Sequence, residues 1–189
     1  MKKYNRFTAP TKRRATKTAE ENKPLSVIIP AAGTGHRMKS YGPKCLLPIS
    51  LTETIIQNII KHVKLAYPGS EITVIVGFEA DKVIKTLPSD VRVIENQFYY
   101  ETNVVESLRL ALNSITSQNV LIIYGDLIFN IKAIENLINE GSCIVADSKN
   151  HFKNEEVGVT VVENMVTNFA YGLDLSLIHI SEPTRRTPI

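Results

Sequence analysis

A chain of 189 residues with 43% hydrophobic content carries enough apolar material for one sizeable core, and its length suits a single domain. The formal net charge of +3 conceals an asymmetry, because residues 1–24 hold eight Lys or Arg against two Glu and the remainder holds 14 basic against 17 acidic residues. The basic excess therefore lies in a leading segment and not on a folded face, which disfavours nucleic acid as a partner; no apolar run reaches the roughly 20 residues of a membrane span, and a cytoplasmic protein is expected.

The leading segment (Lys2, Lys3, Arg6, Lys12, Arg13, Arg14, Lys17, Lys23) has no apolar periodicity and reads as a disordered basic arm over residues 1–24. An electrostatic tether to nucleic acid or another anion is the alternative reading. The segment also lacks the apolar region of a signal peptide.

The pattern changes at Leu25–Pro30, a short β-branched run of the kind buried on both faces of a parallel sheet. A Gly-rich loop follows, and then Ile55, Ile56, Ile59, Ile60 and Val63 keep helical spacing, with Thr52 as the expected N-cap and Pro68-Gly69 as the stop. Ile72–Val76 predicts a second strand, Glu79–Leu87 a short helix, and Val91–Ile94 a third strand. Val104, Val105, Leu108, Ala111, Leu112 and Ile115 predict a further helix, and Asn119–Tyr124 a strand closing at Gly125-Asp126. A helix over Ile131–Asn139 and a strand over Ser142–Ala146 are expected next, then two β-type runs, Val157–Val162 and Met165–Ala170, joined by a hairpin turn. The fold class implied is α/β: a mostly parallel, Rossmann-like sheet with helices on both faces and a small antiparallel addition. Ligands of such sheets bind beyond the carboxyl ends of the strands.

Cys45 and Cys143 lie far apart beside apolar residues, without metal-ligand spacing, and read as buried free thiols.

The informative segment is Pro30-Ala31-Ala32-Gly33-Thr34-Gly35-His36-Arg37-Met38, followed by Pro43-Lys44. Glycines at alternate positions after a buried strand let backbone N–H groups approach a phosphate chain. Arg37 adds a planar charged fork and Lys44 a mobile point charge. A P-loop is excluded, since four residues do not separate the glycines and no Gly-Lys-Ser/Thr follows; a dinucleotide fingerprint is excluded, since Met38 stands where its third Gly belongs. His36 reads as a solvent-facing loop residue. The second anchor is Asp126, at the carboxyl end of a central strand and suited to Mg²⁺. Between the anchors, either Asn103 and Ser107 touch nucleotide or acceptor or Thr102 and Asn103 only cap a helix, and Tyr99 and Tyr100 either pack or form an aromatic wall for a quaternary ammonium.

Taken together, Ala-Ala-Gly-x-Gly-x-Arg-Met, then Pro-Lys and the apolar pair Leu46 and Leu47, resembles the signature of sugar-nucleotidyltransferases and MobA-like NTP transferases of glycosyltransferase-A-type fold. The stretch from Asn96 to Leu108 is similar to that of phosphocholine cytidylyltransferase-like members. The resemblance implies that Ala31, Ala32, Gly33, Thr34, Gly35 and Asn103 bind nucleotide, that Arg37 and Lys44 are catalytic and hold the triphosphate, and that Asp126 binds the metal. It further implies Mg²⁺ as cofactor, an NTP (CTP or UTP favoured) and a small phosphorylated acceptor as partners, and pyrophosphate as leaving group. Family members take a second metal-binding Asp from farther downstream, and Asp147 and Asp174 lie too early to replace it.

The stretch 176–189 fits no element and resembles the translated read-through of a sequencing-library adapter, so the expected domain is residues 25–175 of a longer protein, C-terminally truncated. Other readings are an inactive nucleotide-binding fragment, molybdenum-cofactor-type nucleotidyl transfer, and nucleic-acid binding through the basic arm. A homo-oligomer is left open.

Overall fold

A computed structural model describes residues 5–8, 24–35, 42–135, 137–146, 157–163 and 165–171. His36, Arg37 and Met38 lie outside the described residues, as do Asp147, Asp174 and the stretch 176–189. The strands are β1 (Asn5–Thr8), β2 (Leu25–Pro30), β3 (Glu71–Val76), β4 (Arg92–Glu95), β5 (Asn119–Ile122), β6 (Cys143–Ala146), β7 (Val157–Val162) and β8 (Met165–Tyr171), and the helices are α1 (Ile55–Ala66), α2 (Ala80–Ile84) and α3 (Val104–Leu112). They divide into two compact units, Thr16–Glu135 and a second made of Met1–Ala15 with Asn136–Ile189.

The first unit is built on a parallel sheet in the order β4-β3-β2-β5. Its centre forms because β2 and β3 have no polar face: Val27, Ile28 and Ile29, like Val74, Ile75 and Val76, are all fully buried. Side chains alternate across a strand, so both sides of the sheet are covered. On one side Ile28, Ala32, Ile75 and Ala111 form a cluster, with Ile94 of β4, Leu108 of α3 and Ile115 beyond α3 packed on it. Each such aliphatic side chain taken fully out of water is worth roughly 1.5–3 kcal/mol. α2 packs against β3 through buried Val83.

α1 buries Ile55, Ile56, Ile59, Ile60 and Val63, the stripe its spacing predicts. It starts two residues later than expected, at an N-cap on Thr54 and not Thr52. The physical reason is Gln57: its side-chain oxygen accepts from the Thr54 backbone N–H at 3.0 Å, the reciprocal half of a capping box.

Beyond β5 the expectations need correcting. In place of a helix over Ile131–Asn139 there are two single turns of 3₁₀ helix, Ile131–Ala133 and Leu137–Glu140. Asn130 caps the first, its side chain accepting from Lys132 N–H at 3.1 Å, so a turn starts where the sequence places one but does not continue as an α-helix. β6 does not extend the parallel sheet.

The second unit holds a sheet of order β6-β1-β8-β7. Here Asn5–Thr8, within the segment read as a disordered arm, forms a strand antiparallel to β6. β7 and β8 make the expected hairpin, with Val162 opposite Met165 and Glu163 at φ 50 in the turn.

Candidate active site

The glycine loop leaves β2 pinned between its neighbours. Ala31 N–H donates to the Ile75 carbonyl at 2.8 Å, Phe78 N–H to that of Ala32 at 3.1 Å, and Gly125 N–H to that of Pro30 at 3.1 Å. The strand ends meet so closely that side chains are excluded. A Cβ on Gly125 would stand 3.0 Å from the Ala31 Cβ and from the Pro30 carbonyl; one on Gly77 would stand 2.7 Å from the Tyr99 Cβ and 2.9 Å from the Ala32 Cβ and carbonyl. Gly33 faces open space, and Gly35 adopts φ +58, a backbone state that favours glycine. Thr34 is half-buried between them. Gly77→Ala is expected to destabilise the fold by about 1–3 kcal/mol through overpacking of Ala32 and Tyr99; urea unfolding measures it, and a wild-type midpoint would show that the contact yields.

Lys44 enters from the opposite direction. Pro43 is buried, and Lys44–Leu46 form one 3₁₀ turn, closed by Leu46 N–H to the Pro43 carbonyl and Leu47 N–H to the Lys44 carbonyl, both 3.0 Å. From there the Lys44 side chain runs over Gly35, its Cγ 3.2 Å from where a Cβ there would stand. Its Nζ donates to Asp126 Oδ2 at 3.4 Å. Both partners are partly exposed, at 38% and 45%, so their mutual attraction adds little to stability. The pair brings a cation and a carboxylate together beside the glycine loop.

Cys45 anchors this turn from below. It is buried and free, and desolvation of its thiolate, with the Asp126 charge as a lesser cause, pushes its pKa up to about 11. At pH 8 it is a thiol, so its alkylation by iodoacetamide should stay slow until the chain is unfolded, whereas half-buried Cys143 should react first; mass spectrometry of the labelled sites reads the order.

The segment between β4 and α3 is organised by Asn96. Nearly fully buried, Asn96 donates from Nδ2 to Thr102 Oγ1 at 3.0 Å and Ser107 Oγ at 3.1 Å, and accepts from Phe98 N–H at 3.0 Å. Asn103 is the N-cap of α3, its Oδ1 accepting from Val105 N–H at 2.9 Å, and Ser107 is turned inward. Tyr99 and Tyr100 part company: Tyr99 packs on the core cluster and tilts against Phe78 at 6.2 Å, whereas Tyr100 is exposed. The two therefore form no common wall. Through Tyr99, which meets Gly77 and Ala32, the segment that ends in Asn103 abuts the glycine loop.

Comparison with known proteins then places the chain. Residues 27–166, well over half of it, match the model of the MobA-like NTP transferase domain. The chain belongs to that family. It thus carries a nucleotidyltransferase domain, and its sheet is the parallel core of a MobA-like NTP transferase. It is similar to the bifunctional protein GlmU of Francisella tularensis, 32% identical over 117 residues, which cover 61% of this chain and 25% of that protein. It is also similar in fold to a nucleotidyl transferase from Methanothermobacter thermautotroptrophicus, with TM-score 0.55 and 23% identity over 74% of this chain and 63% of the other. A CTP:phosphocholine cytidylyltransferase from Streptococcus pneumoniae matches with TM-score 0.45 and 27% identity, covering 55% of this chain and 45% of the other. The chain spans about a quarter of the length of the curated relatives it matches.

No cluster of three or more His, Cys, Asp or Glu suited to a metal occurs among the described residues. The single exposed carboxylate of Asp126 nonetheless fits Mg²⁺, which is usually held by one or two carboxylates with the remaining positions filled by phosphates and water. No helix among the described residues is long and apolar enough to cross a membrane. Gly77 was not singled out by sequence, although its place directly after the buried run of β3 mirrors that of Ala31 after β2.

Proposed function

We propose that the protein transfers a nucleoside monophosphate from an NTP to a small phosphorylated acceptor and releases pyrophosphate. The observation that carries this reading is the path of Lys44: it crosses Gly35 and ends 3.4 Å from Asp126, which gathers three separate sequence features at one point. A glycine loop open at Gly33 offers backbone N–H groups to the phosphates. Lys44 holds the triphosphate and offsets the charge that grows on the departing pyrophosphate, a stabilisation worth most when the cation is already in place. Arg37 acts in the same sense, Ala31, Ala32 and Thr34 line the loop, and Asn103 faces the nucleotide from the β4–α3 segment.

Mg²⁺ bound at Asp126 would supply charge neutralisation across the phosphate oxygens. Positioning of the acceptor phosphate in line with the α-phosphorus does the rest, since phosphoryl-type transfer needs no protein nucleophile. CTP or UTP is the favoured donor, on the resemblance of the Asn96–Leu108 segment to phosphocholine cytidylyltransferase-like members; the acceptor is a sugar 1-phosphate or a phosphocholine-like compound. The reaction is assigned to the cytoplasm.

The test is thermal stabilisation of the 189-residue chain by CTP, UTP, ATP and GTP, with and without Mg²⁺, followed by pyrophosphate release with each acceptor. Selective, Mg²⁺-dependent stabilisation is expected, because a ligand that binds only the folded state must raise its stability. A folded chain that answers to none of the four would sink the proposal, and binding without pyrophosphate release would mark a nucleotide-binding fragment.

A further inference from the structure

Glu79, at the start of α2, combines two features that a folded chain normally avoids. Its backbone is left-handed, at φ 49 and ψ 42, where residues other than Gly, Asn and Asp are uncommon. Its Oε2 is buried and has no hydrogen-bond partner, although buried polar atoms nearly always have one. A residue at a helix N-cap ordinarily turns its side chain onto the N–H groups of its own first turn, yet Glu79 makes no such bond. Lys82 Nζ donates to Oε1 at 2.6 Å, which accounts for one oxygen only.

The other oxygen rests against Gly42. A Cβ on Gly42 would stand 2.7 Å from Glu79 Oε2, and Gly42 itself has φ +74. Two left-handed residues remote in sequence thus meet with a carboxylate oxygen between them, two positions before Lys44. Unsupported, a glycine there would range over both halves of backbone space. With that oxygen packed into the space a side chain would take, the glycine's range is narrowed by contact alone, and it leads directly to buried Pro43, whose ring locks φ at −61 and leaves no slack. Lys44 follows immediately and opens the single turn from which its side chain crosses to Asp126. Strain gathered at one contact, at the entry to a proposed catalytic residue, is the pattern expected where structure is kept for function.

We propose that Glu79 is a positioning residue for Lys44, acting through Gly42 and Pro43. Its functional meaning rests on the reading of Lys44 as the triphosphate-holding cation.

The experiment compares the full chain with Glu79→Ala, Glu79→Gln, Lys44→Ala and the Glu79→Ala/Lys44→Ala double variant. Amide exchange is followed first, without nucleotide. In Glu79→Ala the amides of Leu46 and Leu47 are expected to exchange about tenfold faster while those of β2 and β3 keep their rates, and Glu79→Gln, of the same size and shape, restores them. Calorimetric titration with CTP, UTP, ATP and GTP plus Mg²⁺ comes second. For whichever the wild type binds, Glu79→Ala weakens binding about tenfold, and adds nothing further in the Lys44→Ala background, because effects that pass through one side chain are not additive. Unchanged exchange at Leu46 and Leu47 overturns the proposal, as does a loss that adds in full to that of Lys44→Ala. If the wild type takes up none of the four while exchange changes as expected, the positioning of Lys44 stands and the nucleotide reading falls.

Discussion

Lys44→Ala should lower the rate of nucleotidyl transfer by about 10²- to 10³-fold, the loss typical when one preorganised group that stabilises developing charge is removed. The structure makes this a clean experiment. The Lys44 ammonium is partly exposed and its one described ion-pair partner, Asp126, is more exposed still, so truncation should leave the thermal midpoint nearly unchanged. The 3₁₀ turn that carries Lys44 is held by Pro43, by backbone bonds and by buried Cys45, none of which the substitution touches. Lys44→Arg should recover only part of the rate, because a planar fork replaces a compact charge on a path that already grazes Gly35. Transfer at the wild-type rate in Lys44→Ala would remove this residue from the site.

Asp126→Asn separates a metal ligand from an ordinary turn residue. The amide keeps the shape of the side chain and loses its charge, so nucleotide binding should survive in part through the glycine loop and Lys44, while the Mg²⁺-dependent share of nucleotide stabilisation disappears. Transfer should fall by about 10²-fold or more, since neutralisation of the phosphate charge is worth several kcal/mol in the transition state. The measurement is a thermal-shift series over Mg²⁺ concentration at fixed nucleotide. A variant that responds to Mg²⁺ as the wild type does would move the metal elsewhere.

The parallel core was legible because its signals are local. Val27–Ile29 and Val74–Val76 are apolar on both faces, and a strand of that kind has few homes outside a covered parallel sheet. Asp126 was legible as a residue that follows β5, the neighbour of β2, whereas Lys44 lies well past the end of β2 and its contact with Asp126 is a tertiary approach. What escaped was decided by competition or by distance. Gln57 overrode the choice of cap at α1. The helix expected over Ile131–Asn139 is two 3₁₀ turns, although Asn130 caps its start. β6 paired with Asn5–Thr8, a partner that no local pattern of residues 142–146 could name. Asn103 was balanced between cap and ligand contact; it caps α3, and its contact with nucleotide belongs to the proposed function. The contact of Glu79 with Gly42 needs two positive φ angles and a tertiary approach, and neither leaves a periodic trace.

The pinched floor of the site, where Gly77 and Gly125 leave no room for a methyl group beside Ala31 and Ala32, bears on how such a protein could be given a new substrate. Neither glycine can take a side chain without pushing strands apart. On the proposed function, choice of substrate would then be written in neighbouring segments, among them the stretch from Asn96 to Asn103 with its exposed Phe98 and Tyr100. A redesign aimed at a different nucleotide would, on that reading, leave the strand ends untouched and vary the exposed side chains of that stretch.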